Sequence, residues 1–143
     1  MTHDFTVSVA DWGSQAKQLR AVREAVFVTE QQVPKELEWD AADPQCTHVI
    51  AVDGKGSPIG TGRLDPDASI GRMAVLQDWR GQGVGDAMLQ LLIQEACRQG
   101  HTFLELSSQT HATGFYLRHG FVMRGEPYME AGIPHIKMYR AGL

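Results

Sequence analysis

The sequence predicts an α/β fold of the α+β kind, in which a mixed central sheet carries helices on both faces. Two observations predict it. Three strand-like segments follow one another closely between residues 48 and 75, and a long stretch of helical apolar periodicity lies between two strand-like segments. The closely spaced strands call for antiparallel pairing, whereas the strand–helix–strand passage from 69 to 107 calls for a right-handed parallel crossover.

Each element has its own signal. Phe5, Val7 and Val9 alternate with polar neighbours and predict a half-buried first strand. Asp11 and Ser14 then offer capping oxygens to a helix from Ser14 to about Glu30. Leu19, Val22, Val26 and Phe27 form its apolar stripe beside Arg20, Arg23 and Glu24, and Pro34 requires it to have ended. Residues 35–47 are polar and turn-rich, so an irregular surface loop is expected there. Strands are predicted at 48–53, 58–65 and 69–75, with Asp53, Gly54, Gly56 and Pro66 at the turns. A helix from about Gly83 to Gln99 shows Val84, Met88, Leu91, Leu92 and Ala96 on one face and Gly100 as its stop. A strand at 102–107, a short helix from His111 to about Arg118, and strands at 121–126 and 133–140 around Gly132 complete the order β-α-β-β-β-α-β-α-β-β.

The chain has 143 residues with no repeat, linker or change of composition, which predicts a single domain over 1–143. A domain of this size buries roughly 70% of its unfolded surface and needs no staples. Hydrophobic residues make up 43% and charged residues 21%, and no apolar run approaches the ~18 residues of a spanning helix, so disorder and membrane association are not expected. Thirteen Lys and Arg against 17 Asp and Glu give a net charge of −4, a poor basis for binding a phosphate backbone, and no nucleic-acid partner is expected. The opening MTHDFTVSVADW lacks a basic and an apolar export region, which predicts a cytoplasmic protein whose Cys46 and Cys97 are free thiols. Six histidines show neither helical i, i+4 pairing nor clustering with cysteine, so no metal is expected.

One segment carries chemistry. Trp79-Arg80-Gly81-Gln82-Gly83-Val84-Gly85 lies between a strand and an amphipathic helix, where unpaired amides and the helix dipole favour an anion. Three glycines let a phosphate oxygen approach the backbone, and Arg80 adds a cation. A tight turn without a ligand satisfies the same residues. A P-loop is excluded, because no Gly-Lys-Ser/Thr closes the turn, and a dinucleotide fingerprint is interrupted by Asp86. The spacing that fits is Arg80-x-x-Gly83-x-Gly85.

With that loop, the sequence resembles the GNAT superfamily of acyl-CoA-dependent N-acyltransferases, whose pyrophosphate loop reads Gln/Arg-x-x-Gly-x-Gly/Ala after the fourth strand. Ala112-x-x-Phe115-Tyr116-x-x-x-Gly120-Phe121 is similar to the superfamily's short helix and following strand. Phe27-x-x-Glu30-Gln31, His48, Gln109-x-His111 and Gly132-Ile133-Pro134-His135 resemble the small bacterial ElaA-like branch, and the likeness runs over essentially the whole chain.

The resemblance implies that the parallel fourth strand (69–75) and fifth strand (102–107) splay apart to admit the pantetheine arm of acetyl-CoA. It assigns the amides of Met73, Ala74 and Val75 to pantetheine and the thioester carbonyl, and those of Arg80, Gly81, Gln82, Gly83, Val84 and Gly85 to the pyrophosphate. Gln109 replaces a family asparagine at the pantetheine, and Phe115 lies beside the cofactor or in the core. The implied reaction is direct acyl transfer to an amine, with Tyr116 protonating the thiolate. Relatives often place a basic carboxylate where this chain has Arg72, which leaves Glu105, Glu30, His111 or a water relay as the base. Glu30, Gln31, His48, Arg72 and His135 are implied to line the pocket of a small-molecule or protein amine, and a homodimer is possible. Two rival readings remain, a noncatalytic acyl-CoA-binding regulatory module and a nucleotide-binding protein using the same glycine turn.

Overall fold

A computed structural model describes residues 4–143. Seven strands form one sheet in the order β1-β2-β3-β4-β5-β7-β6. β1 (Phe5–Ala10), β2 (Thr47–Asp53), β3 (Pro58–Leu64) and β4 (Ser69–Val75) are successively antiparallel. β5 (Phe103–Gln109) is parallel to β4, and β7 (Ile133–Ala141) pairs antiparallel with both β5 and β6 (Val122–Glu130).

Alternation sorts the core between two layers. Val49 and Ala51 of β2 face α3 (Val84–Arg98), whose Val84, Met88, Leu89, Leu92 and Ala96 are buried with Leu104, Leu106 and Tyr116. Ile50 turns the other way and packs with Ala10 and Leu19 of α1 (Trp12–Arg23). Asp11 caps α1 by accepting from the Ser14 N–H at 3.2 Å. Gly100, at φ +88°, ends α3.

Two expectations needed revision. The first helix is α-helical only as far as Arg23, and Glu24–Glu30 is a π-helical turn. Widening the coil brings Val26, Phe27 and Glu30 to the cleft described below, a displacement that a 3.6-residue pattern does not contain. The expected irregular loop at 35–47 contains a short helix, α2 (Lys35–Glu38), and a 3₁₀ turn at Asp43–Gln45. Both are held by a buried charge cluster. Arg23, 1% exposed, donates to Glu38 at 2.5 Å and to Asp43 at 2.9 Å, and Arg63 donates to the same Asp43 oxygen at 2.9 Å. Asp43 is pushed up by burial but held below the usual carboxylate range by the two arginines. A polar sequence here signals a buried ion network rather than solvation.

β4 and β5 share only two residue pairs, Ser69↔Glu105 and Ile70↔Leu106, and then diverge. On its other edge β4 stays paired to β3 but carries an extra residue, since Arg63 opposes Gly71 and Thr61 opposes Ala74. Arg72 sits in this bulge at φ +52°. Gly62 makes room for it: a Cβ there would lie 2.6 Å from the Met73 sulfur.

Candidate functional site

The divergence of β4 from β5 opens a cleft of about 990 Å³. One wall is the β4 backbone from Gly71 to Val75, and the opposite wall is β5 from Glu105 to Gln109. The π turn supplies Val26, Phe27, Glu30 and Gln31, and the hairpin of β6 and β7 supplies Glu130, His135 and Lys137. That hairpin bends at a two-residue bulge between Arg124 and Tyr128, which separates its tip from the straight course of the sheet.

The glycine turn forms one end. Gly81 and Gly83 have φ +76° and +88°, and open space lies where a Cβ would stand. The first helical bond of α3 is from the Ala87 N–H to the Gly83 carbonyl, so the amides before Ala87 belong to the unsatisfied first turn. Gly85 has a different reason: a Cβ would meet the Phe115 ring at 3.3 Å. Phe115 thus packs edge-on to Tyr116 and closely over the helix start while also lining the cleft. Gln82 does not line it, because its side chain donates back to the Asp78 carbonyl at 3.0 Å.

α4 (Thr113–Leu117) follows a 3₁₀ turn at Thr110–Ala112, so the expected helix from His111 to Arg118 is shorter and starts later. It places Tyr116 at the cleft with its ring 9% exposed against Phe121. Burial pushes the phenol up to about 12, which keeps it protonated at neutral pH. No protein group among the described residues bonds its hydroxyl. His111 is exposed and lines the cleft, as does Glu105, which has no cation partner among the described residues.

Glu30 is differently placed. Its carboxylate takes both forks of Arg80, at 2.6 and 2.7 Å, while Arg80 Nε–H donates to the Val75 carbonyl at 3.0 Å. The Arg80 bond holds the Glu30 carboxyl below its usual range. The next residue, Gln31, exchanges amide bonds with Gln109 at 2.8 and 3.4 Å. Residues 30 and 31 therefore tie the π turn to both sides of the splay.

Arg72 lines the cleft but leans on α2, donating to the Glu38 carbonyl at 3.3 Å. Burial, with Arg63 and Arg23 nearby, lowers its guanidinium affinity for a proton. His135 also lines it, its ring N–H donating to the Ile133 carbonyl at 2.7 Å. His48 does not. It is 1% exposed on the α1 side of β2, stacked on Trp12 and bonded to the Asp43 carbonyl at 2.8 Å, so it supports the buried cluster instead of an acceptor.

Sequence reasoning missed Ser107, Glu130 and Lys137. Ser107 contacts the Tyr128 hydroxyl, and Tyr128 stacks on His135. Only alternation along β5 could have marked Ser107, because the hairpin tip reaches the cleft through a bulge that leaves no periodic trace. Among the described residues no group of three His, Cys, Asp or Glu side chains could hold a metal ion, and no helix is long and apolar enough to cross a membrane.

The comparisons agree with this geometry. A family model described as an acetyltransferase (GNAT) domain matches residues 12–141. The chain is 37% identical over 130 residues to the uncharacterized N-acetyltransferase YjcF of Bacillus subtilis, covering 88% of this chain and 92% of that one. Among solved structures, an acyl-CoA N-acyltransferase from Pseudomonas aeruginosa is 31% identical with a TM-score of 0.82, covering 98% and 100% of the two chains. Escherichia coli ElaA is 26% identical with a TM-score of 0.83, covering 97% and 99%.

Proposed function

The chain belongs to the GNAT acetyltransferase family, and from that premise we propose that it transfers an acetyl group directly from acetyl-CoA to an amine, in the cytoplasm. The observation that carries this reading is the splay of β4 from β5 above an open glycine turn, with a buried, protonated Tyr116 in the same cleft. The residues fit the cofactor. The amides of the first α3 turn, beside Gly81 and Gly83, would hold the diphosphate, and the exposed β4 edge at Met73, Ala74 and Val75 would hold the pantetheine.

When bound, acetyl-CoA supplies an activated thioester. A neutral amine attacks its carbonyl, and aligned β4 amides stabilise the charge that develops on the oxygen, by several kcal/mol where such donors are preorganised. Tyr116 then donates its proton to the departing thiolate. Glu105, which lines the cleft with no cation partner among the described residues, is the carboxylate assigned to the surplus amine proton. His111, at the rim, is the alternative base, and replacing each separately distinguishes them.

The test is a panel of primary amines and peptides incubated with acetyl-CoA while free thiol is followed. At least one acceptor should release thiol in stoichiometric step with its acetylated product. Saturable coenzyme A binding with no turnover on any amine would favour the regulatory-module reading. Preferential binding of ATP or NAD would favour a nucleotide-binding protein.

A further inference from the structure

We infer that Glu30 and the diphosphate of coenzyme A compete for Arg80, so that cofactor binding releases the Glu30 carboxylate into the acceptor end of the cleft. This rests on the acyl-CoA reading above and adds to it an ion pair that changes partners when the cofactor binds.

Arg80 opens the glycine turn, one residue before Gly81, yet its fork is spent on Glu30 at 2.6 and 2.7 Å and its Nε–H on the Val75 carbonyl. The terminal fork of a guanidinium matches one planar pair of oxygens at a time, whether carboxylate or phosphate, and the Val75 carbonyl on Nε leaves Arg80 no second two-pronged face for a phosphate. A diphosphate on the neighbouring amides would bring two negative charges beside an arginine already paired with a third. The pair is well placed to exchange, because Glu30 and Arg80 are 37% and 41% exposed and so are held by contact rather than by burial.

Glu30 also terminates the π turn that lines the cleft, and Gln31 beside it bonds Gln109 at the end of β5. One dipeptide thus fastens across the opening between the splayed strands, on the path a pantetheine arm would take. Withdrawing Arg80 toward phosphate unfastens one end. The freed carboxylate then faces the same cleft as Phe27 and Glu105 and offers an arriving cationic amine a second negative charge. Before the cofactor arrives the Glu30 charge is neutralised by Arg80.

Two measurements test this with coenzyme A itself as the probe. In calorimetry, Glu30→Gln should bind coenzyme A about 2–5-fold tighter than wild type, the range set by an exposed ion pair. An unchanged or weaker affinity overturns the competition. In the wild-type protein, the Glu30 side-chain carboxyl carbon resonance should move on saturation with coenzyme A at fixed pH. A resonance that stays put while the glycine-turn amides shift also overturns it. If wild-type protein fails to bind coenzyme A at all, the acyl-CoA reading itself falls, an outcome distinct from either of these.

Discussion

Tyr116 and His48 are both buried ring side chains able to exchange a proton, and their surroundings give them opposite duties. Tyr116 has apolar neighbours and a hydroxyl without a protein partner, so burial alone raises it and leaves a proton available to a leaving group. Tyr116→Phe should reduce turnover by about 10²-fold or more while coenzyme A affinity is retained, measured by thiol release and calorimetry. His48 bonds the Asp43 carbonyl through Nε2–H, and its other ring nitrogen is buried with no partner. Protonation would place a charge and an unmet donor between Arg23 and Arg63, so burial foremost lowers its pKa from 6.5. A group depressed in the folded state binds more protons when unfolded, and stability is therefore full above pH 6.5 and falls as pH drops below it. Asp40 and Asp43 are depressed too, so a second loss begins as pH falls below about 3.8. Urea midpoints across pH 3–8 should show both stages, and His48→Gln, which keeps a donor for Asp43, should flatten the first.

The β4 bulge shows how an element is shaped by its neighbour. An extra residue in β4 turns Arg72 toward α2 at positive φ and packs half-buried Met73 against the core, over Gly62 of β3. Gly62→Ala should cost about 1–3 kcal/mol in urea unfolding, and adding Met73→Ala should recover part of it, because the clash is between those two side chains. If the single change is neutral, the bulge does not depend on Gly62. Periodicity located nearly every strand to within a residue or two, and the antiparallel run from β1 to β4 followed from spacing. The bulge, the π turn and α2 were invisible for a common reason. Each departs from a regular repeat to satisfy contacts with residues distant in sequence, such as Gly62 beneath Met73 and Arg23 beside Glu38.

The two halves of the sheet, β1–β4 and β5–β7, meet through only two residue pairs and are joined behind that seam by the apolar core that α3 and α4 share with β5 and β7, while the buried charge cluster on the other face ties α1 and α2 to the β1–β4 half. Arg23→Met should cost about 3–5 kcal/mol, since it leaves Glu38 and Asp43 with less compensation inside the protein. A loss under 1 kcal/mol by urea denaturation would show that the cluster is not a structural anchor. Tyr116 was singled out by the family resemblance, and the contact of Gly85 with Phe115 appears only in the packed chain. The fold class and the glycine turn were legible in the chain itself, because each depends on local spacing: alternation for strands, i+3 and i+4 recurrence for helices, glycines at the start of a helix. The engagement of Arg80 by Glu30, the pairing of Gln31 with Gln109 and the removal of His48 from the cleft were not. Those are matters of which distant side chain arrives within 3 Å, and only the packed chain fixes that.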